Sequence, residues 1–224
     1  MPMHASTRSR PPTARTLLAL GAVGAGYYTL TVLAMHAVQP EVDPLYSTGL
    51  PSEYALGRWG WLVGLGFVVF GLGVLAFAVG LRMTLSAGRR ATASAVLFGI
   101  NGLGLVGAGL FTTDPPLADG TVGYTISGQM HALFGLLAGL SLIVGLFLLR
   151  GVLARDPRWR SLAMPTRWMA WLMIASLVAE IVTGATGFVP GLVARIFFPL
   201  PVIWLVAVVL RLRRVERQPA APVP

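Results

Sequence analysis

Six apolar runs, each about 20 residues long and separated by short polar segments, constrain this chain more than any other feature of its sequence. An α-helix rises about 1.5 Å per residue, so about 20 residues cross the roughly 30 Å of bilayer hydrocarbon. The composition agrees, because 55% of the residues are hydrophobic and 11% are charged, whereas a soluble domain carries about 25% charged residues. The sequence therefore predicts an all-α, polytopic membrane protein built as a six-transmembrane-helix bundle.

The boundaries of the spans follow from the apolar runs. They are predicted at residues 16–38, 59–81, 91–112, 128–149, 168–188 and 192–212, within a membrane domain over residues 15–213. Polar, proline-containing segments at residues 1–14 and 214–224 predict disordered tails. The first run exceeds the roughly 7–15 apolar residues of a secretory signal, which predicts a retained span. The Ala34-Met35-His36 stretch leaves cleavage as an alternative.

The arginines predict the orientation. The chain has 17 arginines and no lysine, and 15 of them fall at one end of the predicted bundle, leaving Arg58 and Arg195 at the other. The positive-inside rule makes the arginine-rich end cytoplasmic, which places both termini in the cytoplasm. Membrane orientation also explains the net charge of +9, so no nucleic-acid partner is predicted, and membrane lipids are the expected partners.

The stretch from Gly107 to Gly139 places an acid and a histidine at adjacent ends of two spans, as Asp114 and His131. Ionisable residues near the hydrocarbon are costly and therefore candidates for function. Because a short connection joins antiparallel spans, the two side chains are predicted to hydrogen-bond directly or through water. His131 could act as a base oriented by Asp114. The alternatives are an Asp-Pro-Pro turn and an interfacial histidine, with Ser127 as the expected helix cap.

A second candidate site surrounds Glu180, which lies about 12 Å below the outer boundary of span five. Ser176, Glu180 and Thr183 share one helix face by their spacing. Pro199 and Pro201 are expected to kink span six near the same depth, and broken helices beside carboxylates form substrate sites in many transporters. These residues are the candidate lining of a substrate-binding site.

Arg195 and His36, at the outer ends of spans six and one, complete the candidate substrate-binding residues. Glu180 could instead form a structural ion pair with Arg195, or be neutral through burial. His36, Asp114 and His131 are ligand types for zinc, but no close spacing supports a metal. Two histidines could ligate one haem only at equal depth. No cofactor is predicted, and the absence of cysteine excludes disulfides.

Three classes of function remain open on the residues alone. The first is a carrier or binding protein for a lipid or small apolar molecule, with its polar site in the outer half of the bilayer. The second is an intramembrane, hydrolase-like enzyme that uses His131 and Asp114, with or without a metal. The third is a structural or assembly subunit. The Gly135-Leu-Leu-Ala-Gly139 stretch predicts either tight helix packing or an interface with a second copy or a membrane-protein partner.

Three short motifs follow one another along the chain in an order typical of one family. They are Ser52-Glu53-Tyr54-Ala55-Leu56-Gly57, then Gly109-Leu-Phe-Thr-Thr-Asp114-Pro115, then Gly128-Gln-Met-His131. In these the chain resembles the bacterial membrane-protein family catalogued as domain-of-unknown-function 998, over residues 15–215. The resemblance implies a six-helix domain in a bacterial plasma membrane and supports Asp114 and His131 as paired features. It implies no activity.

Overall fold

A computed structural model describes residues 12–39, 50–115, 125–186, 193–195 and 199–217, all of them in helices or short connections. The long helices are α1 (Pro12–Val38), α2 (Gly60–Thr84), α3 (Arg89–Leu110), α4 (Ile126–Leu153), α5 (Ala163–Thr186) and α6 (Leu200–Arg217). Short 3-10 helices occupy Pro51–Leu56 and Arg160–Leu162. Six helices are long and apolar enough to span a membrane, the sixth counted from Val193 to Arg214. The all-α, six-helix prediction is confirmed.

The helix ends differ from the predicted spans by a few residues. Helix α1 begins at Pro12, inside the predicted tail, because proline suits the first turn of a helix. Helix α4 continues to Leu153, past Arg150 at its polar end, since long basic side chains reach the interface from inside a helix. Residues 1–11 and 218–224, which make up most of the predicted tails, lie outside the described residues.

Glycines allow the first four helices to pack at short range. A Cβ on Gly71 of α2 would lie 2.6 Å from the carbonyl oxygen of Gly102 in α3, and a Cβ on Gly102 would lie 2.8 Å from that of Gly71. A Cβ on Gly104 of α3 would come within 2.9 Å of Ala138 in α4. Lipid provides no hydrophobic drive for helix association. Close backbone packing of this kind stabilises the association through van der Waals contacts instead. The tight-bundle prediction is confirmed for these helices.

The two ends of the bundle differ in charge. We call one the arginine face, formed by residues 82–92, 150–167 and 211–217, and the other the site face, formed by residues 36–39, 50–60, 108–115, 125–131, 180–186 and 193–195. At the arginine face, Arg158 holds Asp156 through Nη2 and Oδ2 at 2.6 Å, and Arg211 Nε donates to the Arg158 carbonyl oxygen at 2.8 Å. Both the start of α1 and the end of α6 lie at this face.

The core leaves space towards the site face. Trp204 of α6 stacks on Phe98 of α3 with ring centroids 5.5 Å apart, and its indole N–H donates to Thr166 Oγ1 of α5. Helices α4 and α5 meet near the arginine face, where the rings of Phe147 and Trp171 pack edge to face at 5.3 Å. Nearer the site face the same two helices border an open cleft.

Candidate functional site

The cleft between α4 and α5 has a volume of about 690 Å³. A second cavity of about 310 Å³, which we call the inner chamber, is lined by residues of all six long helices. The two cavities adjoin each other, because they share several lining residues: Leu50, Ser52, His131, Gly135, Gly139, Leu142, Met173, Ser176 and Glu180. Gly135 and Gly139 have no atom within 4 Å of an added Cβ. This pair therefore borders the cavity, and its role as an interface stays a prediction.

The inner chamber is aromatic, with one amide among its walls. Tyr28, Phe67, Phe70, Phe98 and Trp204 line it. Asn101, in the middle of α3, also lines it and donates from Nδ2 to the Ala138 carbonyl oxygen at 2.8 Å. Sequence reasoning missed Asn101, although a polar residue in mid-span was the available signal.

Asp114 caps helix α4 indirectly. Its Oδ2 accepts from the Thr125 backbone N–H at 2.9 Å, and its Oδ1 accepts from the Thr125 hydroxyl at 2.5 Å. The same hydroxyl accepts from the Gly128 N–H at 3.1 Å, as an N-cap does. Thr125 is thus the cap, and the prediction of Ser127 was wrong, because the Ser127 hydroxyl donates instead to the Thr112 carbonyl oxygen. A Cβ on Gly128 would overlap the Asp114 carboxyl group.

His131 is oriented by backbone carbonyls. Its Nδ1 lies 2.8 Å from the Ala108 carbonyl oxygen and 3.0 Å from that of Phe111. Carbonyls only accept, so Nδ1 carries a hydrogen and Nε2 of the neutral ring carries the lone pair. The final carbonyls of a helix lack partners within the helix, and His131 satisfies two at the end of α3.

Asp114 and His131 line the same cleft, as expected for neighbouring helix ends. No direct hydrogen bond joins these two described residues, since each is bonded elsewhere. The direct-bond version of the prediction was therefore wrong. The physical reason is that Thr125 and the end of α3 offer backbone groups without partners inside a helix, and these groups take up the hydrogen-bonding atoms of Asp114 and His131.

Glu180 and Ser176 are brought together as their spacing predicted. Ser176 Oγ donates to Glu180 Oε1 at 3.2 Å, and both residues line both cavities. Thr183 donates to the Ala179 carbonyl oxygen of its own helix and lines neither cavity. Pro201 lines the inner chamber and lies in the first turn of α6, which begins at Leu200. The kink expected at Pro199 and Pro201 stays a prediction, because residues 196–198 just before them lie outside the described residues.

Arg195 and His36 pair with each other. Arg195 Nε donates to His36 Nε2 at 2.7 Å, and His36 Nδ1 lies 2.8 Å from the Val32 carbonyl oxygen. Glu180 accepts from Ser176 and not from Arg195, so the alternative of an ion pair is not adopted. Neither His36 nor Arg195 lines either cavity. These two candidates therefore lie outside the cleft.

The candidate metal ligands are not gathered. In the described part of the chain, no group of three or more histidine, aspartate and glutamate side chains is placed to hold a metal ion. His36 is bonded to Arg195, Asp114 to Thr125, and His131 to the end of α3. Both ring nitrogens of His36 are engaged, which also removes it as a partner of His131 for haem.

The segment over the cleft contains features that the sequence analysis did not assign to the site. Glu53, 4% exposed, lines the cleft and accepts from the Leu50 N–H at 3.4 Å. Gln39 anchors this segment by accepting from the Trp59 N–H at 2.7 Å and donating to the Tyr54 carbonyl oxygen at 2.9 Å. A Cβ on Gly57 would overlap Gln39, which explains the glycine in the Ser-x-Tyr-x-x-Gly motif.

The fold and the cleft together define a multi-pass, α-helical membrane protein with a polar-lined cavity open between two spans. The chain belongs to the family described as "Protein of unknown function (DUF998)", whose model matches residues 22–211. This confirms the resemblance that the short motifs indicated. The chain matches no curated protein and no solved structure.

Proposed function

We propose that this protein is a carrier or binding protein for a lipid or small apolar molecule, held in the cleft and inner chamber. The proposal rests on two adjoining cavities with shared walls, about 690 Å³ and 310 Å³. Pockets for small ligands commonly measure roughly 300–1,000 Å³ and combine apolar walls with a few polar groups. Ser52, Ser176, Glu180 and His131 are the polar residues that both cavities share.

The position of these groups favours an amphiphile. An apolar chain gains little by leaving lipid for an apolar cavity, because the two surroundings are alike. A polar group buried in hydrocarbon gains much more from a hydrogen-bonding partner. The Ser176–Glu180 pair and His131 therefore select for a molecule with a polar end, and the aromatic inner chamber accepts its apolar part.

A hydrolase-like enzyme is the second candidate, and one observation favours it. With Nδ1 hydrogen-bonded to carbonyls, the basic nitrogen of neutral His131 is Nε2, in a residue that lines both cavities. A general base needs such a nitrogen within reach of substrate. Hydrolysis of a fluorogenic long-chain ester by the native protein, lost in His131→Gln, would favour the enzyme over the carrier.

The location proposed is a bacterial plasma membrane, with the arginine face in the cytoplasm and the cleft in the outer half of the bilayer. Fifteen of the 17 arginines lie in segments at that face or in the tails that adjoin it, which is the distribution that the positive-inside rule assigns to cytoplasmic loops. Membrane lipids are the partners that this placement favours. Contact of the exposed helix faces with a second copy of the chain or with another membrane protein also stays a proposal.

The test fills the cleft. Gly139→Leu places a side chain in the cavity, and Gly99→Leu is its matched control, because Gly99 also has no atom within 4 Å of an added Cβ but lines neither cavity. The probe is a fatty alcohol with a photoactivatable diazirine in its chain, incorporated into nanodiscs. We expect cross-links at Met173 and Leu177, reduced at least about fivefold by Gly139→Leu and unchanged by Gly99→Leu.

Two outcomes contradict the proposal. Cross-links confined to lipid-exposed positions such as Leu133 and Leu137 would place the probe in bulk lipid. Equal cross-linking of Met173 in the native protein and in a folded Gly139→Leu variant would show that the cavity holds no ligand. Either outcome would favour the structural or assembly subunit.

A further inference from the structure

The polar side chains that line the two cavities use some of their atoms in hydrogen bonds within the protein and leave other atoms for a ligand. The Ser176 hydroxyl donates to Glu180 Oε1, His131 Nδ1 donates to backbone carbonyls, and Asn101 Nδ2 donates to the Ala138 carbonyl oxygen. None of the described residues donates to Glu180 Oε2, His131 Nε2 or Asn101 Oδ1. Glu180, His131 and Asn101 thus each leave one acceptor atom for a ligand, and the lining hydroxyls of Ser52 and Thr113 can donate or accept.

The charge of the lining points the same way. Three acids line the cleft, as Glu53, Asp114 and Glu180, and no arginine of the described chain lines either cavity. Glu53 accepts from the Leu50 N–H and Asp114 from Thr125, so their hydrogen bonds are made within the protein. Glu180 has one carboxyl oxygen left.

The two arginines of the site face are held away from the cleft. Arg195 donates to His36, and the guanidinium of Arg58 lies 5.5 Å from the ring centroid of Trp59, a cation–π contact. Neither lines a cavity. A phosphate or carboxylate head group would therefore meet acids without a compensating cation. An unpaired anion in an apolar site is costly.

We propose that the cleft selects amphiphiles whose polar end is an amine, which donates a hydrogen bond to the free carboxyl oxygen of Glu180 while the apolar chain occupies the aromatic inner chamber. This inference rests on the proposed function and names its ligand class. An alkylammonium group supplies three donors and a positive charge. A hydrogen bond between an ammonium and a carboxylate is among the stronger kinds. A neutral hydroxyl supplies one donor, and a carboxylate supplies none.

The experiment compares three probes of equal chain length: dodecylamine, dodecanol and dodecanoic acid. At pH 7 the amine is protonated and the acid ionised, and the identical chains cancel the apolar contribution. Binding to the full chain is measured in nanodiscs of phosphatidylcholine alone, with empty nanodiscs subtracted. The chain's net charge of +9 would favour the acid non-specifically, so a preference for the amine cannot arise from overall charge.

We expect the amine to bind about 10- to 100-fold more tightly than the alcohol, and the acid more weakly than both. Glu180→Gln keeps the shape of the side chain and removes its charge, so it should weaken binding of the amine at least about fivefold more than it weakens binding of dodecanol. The control is Ser141→Ala, a buried polar position on α4 that lines neither cavity. It should alter none of the three affinities.

The outcomes separate the two proposals. If all three probes bind equally, or the acid binds best, the ligand class is wrong and the carrier proposal stands. If Glu180→Gln binds with an undiminished preference for the amine, Glu180 does not recognise the head group and the inference fails. If no probe binds above the empty nanodisc, the proposed function itself fails. The ranking in the native protein keeps the inference testable even if Glu180→Gln does not fold.

Discussion

The contact between Asp114 and Gly128 makes a sharp prediction about the start of α4. Asp114→Ala removes two hydrogen bonds that an almost fully buried carboxyl group accepts from Thr125. Hydrogen bonds to a charged group are worth about 1.5–3 kcal/mol each. Water can replace part of the loss at the bundle surface, so we take the low end for each bond. The free energy of unfolding should then fall by about 3 kcal/mol.

Gly128→Ala should have nearly the same effect for a different reason. The added Cβ would overlap the Asp114 carboxyl group, so the carboxyl must leave Thr125 and the same two bonds are lost. Alanine is favoured over glycine in a helix by roughly 0.5–1 kcal/mol, which reduces the expected loss to about 2 kcal/mol. In the Asp114→Ala background the three nearest atoms to the Cβ are gone. There, Gly128→Ala should be neutral or stabilising by about 0.5–1 kcal/mol.

The measurement is a double-mutant cycle by thermal unfolding in one detergent at one scan rate, since membrane proteins often unfold irreversibly. At about 2–4 °C per kcal/mol for a chain of this size, Asp114→Ala should lower Tm by about 6–12 °C. Gly128→Ala alone should lower Tm by about 4–8 °C. The double variant should have a Tm no lower than that of Asp114→Ala. A Tm decrease of the same size in both backgrounds would refute the assignment of Asp114 as the indirect cap of α4.

Two further predictions concern the arginine face. Hydrogen bonding from Arg158 lowers the pKa of Asp156 below its ordinary value, so the pair stabilises the fold above about pH 4 and loses this contribution as the pH falls through the lowered value. Asp156→Asn should cost about 1 kcal/mol at pH 7, discounted because Arg158 is half exposed, and the Tm difference from the native protein should shrink as the pH falls below about 4. Second, single cysteines can be placed in this cysteine-free chain and treated with an impermeant maleimide from outside the cell. We expect Trp61→Cys to be labelled and Arg89→Cys not to be. Labelling of Arg89→Cys would contradict the proposed orientation.

The local features of the chain could be predicted from its sequence. Span number and approximate length follow from apolar runs, because each transmembrane helix satisfies its own backbone hydrogen bonds. The hydrogen bond from Ser176 to Glu180 was also predictable, since residues four apart share a helix face. The capping assignment failed by two residues, because Thr125 and Ser127 both carry hydroxyls and the Asp114 carboxyl group holds Thr125 in place.

The partners of the other ionisable groups were decided by the tertiary structure. A sequence indicates how deep a residue lies along its helix, but not how that helix is rotated or which neighbour it meets. His131 bonds to carbonyls 20 and 23 residues away, and Arg195 bonds to His36 across 159 residues. The candidate set of five outer residues was therefore divided, with Asp114, His131 and Glu180 lining the cleft and His36 and Arg195 paired outside it. The cleft itself arises because α4 and α5 pack near the arginine face and leave space above it, which is a property of two helices together.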